Sequence, residues 1–491
     1  MQLMLGDIAT VLDSPATFAP EQRVEGYSID SRTLKPGELF FAVRGERLDG
    51  HDYVLPALAA GAAGAVVDAS RLGGFPNRAQ TKLLPVPDTL GALQKLAAEV
   101  RRRWAGPLVA VTGSAGKTTT KQTIAALLGT RYRVLESERN LNNHFGLPLS
   151  LLRLTPETEA GVFELGMSAP GEIRLLGKLA APDVGVVTNV GAVHLEFFPD
   201  VEAIAQAKFE LIETLGPDAW AVLNADDPRV RAFGDKIPGR VLSFGISPLA
   251  QFRACDLEPS PDGGFLFTLP EKSYERVPCG VVRRAKFAGN GSGNGAPRDV
   301  RFYLPLIGRH NILNVLAALA VCYAFGIPPP SLQKVVASLR PASMRGEMVR
   351  LANGALVVND CYNSNPEALG TMLESVTSLP ARRRFAVLGG MMELGPASQT
   401  LHHQCGRRVS ELGFDGLFTV GDLASGFAEG AREAGMASRA VSQFDSPEQA
   451  AACLRELLGE GDVVLLKGSR AVHLEKIWEA LEPLAASEPR P

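Results

Sequence analysis

The chain has almost no excess charge. Its 491 residues carry 50 Lys+Arg against 53 Asp+Glu, a net charge of −3. The basic footprint that nucleic-acid binding needs is therefore missing. Long apolar runs are missing too. No stretch approaches the ~18 uncharged residues that cross a bilayer, so no membrane span is expected. The opening MQLMLGDIATVLDSP lacks a basic segment and meets Asp7 early, unlike a secretory signal. Cysteine is scarce and scattered (Cys255, Cys279, Cys322, Cys361, Cys405, Cys453), with no CxxC spacing. That excludes a zinc module or a disulfide scaffold and fits reduced thiols in a cytoplasmic protein. Aromatics are only 7%, while Gly (50) and Pro (34) are frequent and 46% of residues are hydrophobic. This composition excludes a disordered chain. It suits Ala/Leu/Val/Gly packing in a layered, loop-rich enzyme better than an all-β sandwich. At ~150 residues per domain, the length predicts about three domains, and nothing demands more than a monomer.

What is present is an alternating pattern. Up to residue 105 the chain reads as short strands, loops and helices. ELFFAVRG reads as a strand, VLPALAAGAAGAVV as helix, turn and strand, and TLGALQKLAAEVRRRW as a helix with a basic last turn. From Pro107, apolar runs (PLVAVT, GVFELG, DVGVVTNV) alternate with helical patterns, as in a doubly wound parallel sheet. Residues 249–306 turn β-like (GGFLFTL, VRFYLPL), interrupted by the Gly/Asn-rich loop AGNGSGNGAPR, and the apolar helix HNILNVLAALAVCYAF follows. A third alternating stretch begins near Gly354, with strands ALVVND, RFAVLG, GLFTV and DVVLLKG. The expected architecture is α/β in three domains. They are a small α/β domain (1–105), a central phosphate-loop domain with a doubly wound parallel sheet (106–340), and a Rossmann-like C-terminal domain (341–491).

VAVTGSAGKTTTKQTIAALL is the most informative segment. A buried strand enters Gly113, Ser114, Ala115, Gly116, Lys117, Thr118 and Thr119, and a helix follows at once. Small residues let backbone N–H groups turn inward around phosphate oxygens, and the helix N-terminus adds partial positive charge. Lys117 can reach the β- and γ-phosphates, and the Thr118 hydroxyl can ligate Mg²⁺. The strict motif G-x-x-x-x-G-K-[ST] wants glycine where this chain has Val111, so the loop is a shortened variant. Glu164 and His194 each follow an apolar run. In a doubly wound sheet they would share the phosphate-loop edge and could complete a metal site there. The loop ERNLNNHFGLP gathers Asn140, Asn142, Asn143 and His144, suited to polar recognition or simply to turns. Asn311, in GRHNILN, could cap its helix or face a nucleotide.

These residues match a known pattern. TGSAGKTT, ERNLNNHFGLP, FELGMSAPGEI, TNVGAVHLEFF, AIAQAKFELI, GRHNILN and MRGE resemble, in order and over nearly the whole chain, the bacterial cell-wall Mur ligases. SIDSRTLKPGELFFAVRGERLDGHDYV is similar to the uridine-nucleotide domain of the members that add the third amino acid or the final dipeptide. NDCYNSNPEAL, LGGMMELG and KGSR resemble the dipeptide-adding member, and the DNPR-type motif of the diaminopimelate-adding relative is absent. The resemblance implies ATP-dependent addition of D-alanyl-D-alanine to UDP-N-acetylmuramoyl-tripeptide through an acyl phosphate. It implies two Mg²⁺ ions, one on Thr118 and Glu164, the other on His194 and a carbamylated Lys208. Lys117 and Arg345 would supply charge, Asn311 and Asp360 would hold the nucleotide, and Tyr362, Asn363 and Asn365 would face the dipeptide. Ser28, Asp30, Ser31, Arg32, Asp49 and His51 would take the UDP group. Lys467 and Arg470 are weaker candidates. Rival readings are a folylpolyglutamate synthase, the diaminopimelate-adding relative, or an ATP-hydrolysing switch module with no amine acceptor.

Overall fold

The computed structural model describes residues 3–14, 19–45, 47–138, 141–237, 240–275, 277, 279–286 and 299–482. Asn140 and the Gly/Asn-rich segment 288–298 lie outside these residues.

The first sheet has four parallel strands in chain order, Gly26–Ser28, Glu38–Phe41, Gly64–Asp68 and Leu83–Val86. Of ELFFAVRG only the first four residues form strand. The chain reverses at Val43, whose N–H bonds back to the Phe41 carbonyl at 2.9 Å. Gly50 packs so closely there that a Cβ would sit 2.6 Å from the Val43 carbonyl oxygen. The helix Thr89–Trp104 spans the predicted TLGALQKLAAEVRRRW and is capped by Asp88. Its basic last turn, Arg101–Arg103, also makes specific contacts. Buried Arg101 donates to the carbonyls of Ala180 and Ala181 at 2.7 and 2.9 Å, at the C-terminus of the neighbouring helix Glu172–Ala180. Arg102 and Arg103 pair with Glu99. Leu93 and Leu96 share one apolar core with Leu108, Leu147 and Phe163, so the first unit is seated on the second.

The central sheet has seven parallel strands. Their order is Phe252–Arg253, Val241–Gly245, Trp220–Asn224, Val184–Val187, Leu108–Thr112, Ala160–Glu164, Val134–Glu136. The phosphate-loop strand Leu108–Thr112 lies between Val184–Val187 and Ala160–Glu164. Chain order therefore reverses around it, and ligands of doubly wound sheets sit at such a reversal, beyond the carboxyl ends. A three-stranded antiparallel sheet (Cys255–Pro259, Phe265–Leu269, Val300–Leu304) follows, with Phe265, Phe267 and Leu269 alternating inward. Between the two sheets runs the helix His310–Ala324, buried nearly all round, as its unbroken apolar sequence requires.

The last sheet orders Glu347–Arg350, Leu356–Asn359, Asp462–Lys467, Arg383–Gly389, Gly416–Val420, Val441–Phe444. All pairs are parallel except the first. It starts earlier than Gly354, because the antiparallel edge strand Glu347–Arg350 is half-exposed and lacks an apolar run.

Candidate active site

The carboxyl ends of the central and C-terminal sheets face each other across a cleft of about 1970 Å³. Residues 114–119, Glu164, 188–190, Val193, His194, Asn224 and Asp226 line it from the central side, and Asp360, 362–365, 392–394 and Lys467 from the other.

Two glycines of the phosphate loop are sterically obligatory. Gly113 (φ 149°) would drive a Cβ into the Thr188 hydroxyl, and Gly116 (φ 79°) would place one 2.5 Å from Asn314 Oδ1. The loop is strapped to the next strand end. Ser114 N–H donates to the Asn189 carbonyl at 3.0 Å, Ala115 N–H to Asn189 Oδ1 at 2.8 Å, and Thr188 Oγ1 to the Ala115 carbonyl at 2.6 Å. Thr188 and Asn189 open the TNVGAVHLEFF segment, but the sequence assigns them no role of their own. Lys117 Nζ donates to the Gly113 carbonyl at 2.8 Å. Burial lowers its pKa, Arg345 pushes the same way, and Glu164 opposes them.

Glu164 is buried and meets its expected partner Thr118 and also Asn142, which the sequence assigns to substrate recognition instead. Thr118 Oγ1 donates to one carboxylate oxygen at 2.8 Å and Asn142 Nδ2 to the other at 2.9 Å. Its backbone N–H donates to Ser137 Oγ, and the Ser137 carbonyl takes buried Lys121 Nζ. Asn143 Oδ1 accepts from Gly146 N–H at 2.9 Å, where the short helix Gly146–Leu151 begins. The His144 ring packs on Phe145, and its carbonyl accepts from Gln94.

His194 and Lys208 do not join the Thr118–Glu164 pair directly. Among the described residues there is no group of three or more His, Cys, Asp or Glu side chains that could hold a metal ion. His194 lines the cleft, with Nδ1 bonded to Glu393 of the C-terminal unit. Lys208, in the helix Val201–Glu213, is 2% exposed and has no ion pair among the described residues. Burial pushes its pKa well down, and the charge of Lys117 adds to this.

Asn314 accepts from Thr120 at 3.1 Å and donates to Asn311 Oδ1 at 2.8 Å. Asn311 in turn donates to the Ile307 carbonyl at 2.8 Å. His310 beside it has a buried Nδ1 with no partner, and burial pulls its pKa down to about 4. Across the cleft, buried Lys467 pairs with Asp360 at 2.6 Å and donates to the Asn363 carbonyl at 3.0 Å. Arg345 lies over the Tyr362 ring, 4.2 Å from its centroid. Asn365 caps the helix Pro366–Thr377 through Ala368 N–H, and Asn363 accepts from Ser364 N–H. Arg470 meets Glu475 and Met344 instead of the cleft.

The six residues expected to take UDP do not line this cleft. Ser28 Oγ bonds the Asp30 backbone, and Asp30 pairs with exposed Arg32 at 2.6 Å; Ser31 follows in the same turn. His51 Nε2 accepts from Asp68 N–H at 2.9 Å, so Nδ1–H donates to Asp49 at 2.6 Å, and both ring nitrogens are engaged. From this unit, Arg44, Arg47, Leu48 and Leu90 reach the cleft instead.

The comparisons agree with the geometry. Residues 23–101 match "Mur ligase family, catalytic domain", 111–289 "Mur ligase middle domain", and 344–470 "Mur ligase, glutamate ligase domain". The chain belongs to the Mur ligase family. It is 35% identical, over 93% of each chain, to the UDP-N-acetylmuramoyl-tripeptide–D-alanyl-D-alanine ligase of Bacillus subtilis. It is 33% identical, over 94% of each, to that of Escherichia coli. Among solved structures, MurF of Acinetobacter baumannii superposes with a TM-score of 0.83 (26% identity; 98% of this Mur ligase and 99% of that chain). MurF of Thermotoga maritima in complex with ADP gives 0.78 (30% identity; 93% and 97%). The six cysteines are free, and no described helix is long and apolar enough to cross a membrane.

Proposed function

We propose that this Mur ligase joins D-alanyl-D-alanine to UDP-N-acetylmuramoyl-tripeptide at the expense of ATP, giving the pentapeptide precursor of peptidoglycan with ADP and phosphate. The observation that carries this reading is the near full-length similarity to relatives bearing that activity in their names. The cleft supports it, because a phosphate loop and the YNSNP segment face one another there. Residues 1–105 would hold the UDP group, 106–340 the ATP, and 341–491 would close over the nucleotide and bring the amine. The enzyme would act as a cytoplasmic monomer on small molecules.

A carboxylate oxygen of the tripeptide attacks the γ-phosphorus of ATP, the bond to ADP breaks, and an acyl phosphate forms. The dipeptide amine then attacks the acyl carbon, loses a proton, and phosphate departs with the bonding electrons. Anionic transfer needs positive charge fixed in advance, and Lys117 and Arg345 flank the loop that would hold the phosphates. The Thr118 hydroxyl and the Glu164 carboxylate, which Asn142 orients through its other oxygen, would fit one Mg²⁺, an ion satisfied with few protein ligands. His194 and Lys208 would serve a second ion only once Lys208 carries a carbamate; burial shifts the lysine toward the unprotonated amine, the form that reacts with CO₂. Bound Mg²⁺ would neutralise phosphate charge. Asn311 and Asp360 would hold the nucleotide between the units. Tyr362, Asn363 and Asn365 would face the dipeptide.

ADP release with the UDP-tripeptide, measured with and without D-alanyl-D-alanine, tests the reading. Turnover should require the dipeptide; turnover indifferent to it would favour a hydrolytic switch. Replacement of the dipeptide by a single diamino acid or by glutamate should give no product.

A further inference from the structure

His194 and Glu393 lie 199 residues apart, on the loops that follow Val184–Val187 and Arg383–Gly389. Both occupy the left-handed region, with φ of 57° and 62°. Non-glycine residues stay there only where the surroundings over-determine them. Here two further contacts support the pairing. Glu196 N–H donates to the Glu393 carbonyl at 3.3 Å. Gly395 (φ 54°) packs so that a Cβ would sit 3.2 Å from Glu196 Cα. The side chains then meet through Glu393 Oε2 and His194 Nδ1. A neutral imidazole that gives Nδ1–H to a carboxylate must carry its lone pair on Nε2. His194 Nε2 has no partner among the described residues, and the ring lines the cleft.

We propose that Glu393 is a positioning residue for His194. The C-terminal unit delivers it, so the imidazole takes its working tautomer and orientation only when that unit has closed on the phosphate loop. The inference rests on the reading of His194 as a metal-binding group. It links closure of the cleft to completion of the site, which keeps an incomplete assembly from spending ATP.

The test is Mn²⁺ titration by electron paramagnetic resonance on the full-length protein with a non-hydrolysable ATP analogue. It is paired with ¹⁵N-histidine NMR to read the His194 tautomer. Glu393→Ala should weaken one Mn²⁺ site by about tenfold or more and release the His194 ring from its single tautomer. Glu393→Gln, whose amide oxygen accepts the same N–H, should recover most of both. The double variant His194→Ala/Glu393→Ala should bind Mn²⁺ no more weakly than His194→Ala alone. Unchanged Mn²⁺ affinity and tautomer in Glu393→Ala would overturn the proposal, as would additive losses in the double variant. If His194→Ala itself kept full Mn²⁺ binding, the metal reading of His194 would fall, while the tautomer signal would still report whether Glu393 holds the ring.

Discussion

Thr118→Val isolates the contact on which the metal site is built. The substitution keeps the volume and the β-branch and removes one hydroxyl. That hydroxyl donates to Glu164 at 2.8 Å, and Glu164 is only 3% exposed. A hydrogen bond to a charged group is worth about 1.5–3 kcal/mol. Water has little access to replace it here, so the nucleotide-free protein should lose about that much, read by urea unfolding. Asn142 still serves the other carboxylate oxygen, which keeps the loss near the lower figure. If the Thr118 oxygen also ligates Mg²⁺, the same interval acts on the metal–ATP complex. At tenfold per 1.4 kcal/mol it amounts to a rise of about 10- to 100-fold in the Mg²⁺ needed for half-maximal activity. Thr118→Ser keeps the oxygen and should lie close to wild type in both assays. A valine variant with wild-type stability and Mg²⁺ dependence would refute the reasoning, and so would a serine variant as damaged as the valine one.

Lys208→Ala should lose activity and regain part of it with short carboxylic acids, which substitute for a carbamate; full activity without additive would remove the carbamate from the mechanism. His310 titrates near pH 4 in the folded protein against about 6.5 when unfolded. The unfolded chain therefore binds the extra proton between those values, and stability should fall as pH drops from 6.5 toward 4. His310→Asn should flatten that slope, measured by unfolding across the window; an unchanged slope would assign it elsewhere. Lys467→Met strands the Asp360 carboxylate, and removing one partner of a buried pair is destabilising by about 3–5 kcal/mol. The double variant with Asp360→Asn should recover much of this in urea unfolding.

How far the sequence reached depended on the range of the interaction. The phosphate loop was legible because its chemistry is local: a strand, two glycines, a lysine and a helix start within one short segment. Its straps, Thr188 and Asn189, were not, because their partner is set by which strands are neighbours in the sheet. Lys208 sits four residues after Ile204 and three before Leu211, both fully buried. Helical spacing alone thus placed the lysine on the inward face, although its role came only from the resemblance. The short edge strands Glu347–Arg350 and Val441–Phe444 carry little apolar pattern and escaped notice. Glu393 could not have been found. Its part depends on a left-handed backbone and a contact between two sheets, neither of which leaves a mark on LGGMMELG.

The most direct measurement uses UDP-N-acetylmuramoyl-tripeptide labelled with oxygen-18 in its terminal carboxylate, incubated with ATP, Mg²⁺ and D-alanyl-D-alanine. Mass spectrometry should find a UDP-pentapeptide, one ADP for each peptide bond, and one labelled oxygen in the released phosphate. ADP formed without pentapeptide, or pentapeptide formed with unlabelled phosphate, would contradict the account.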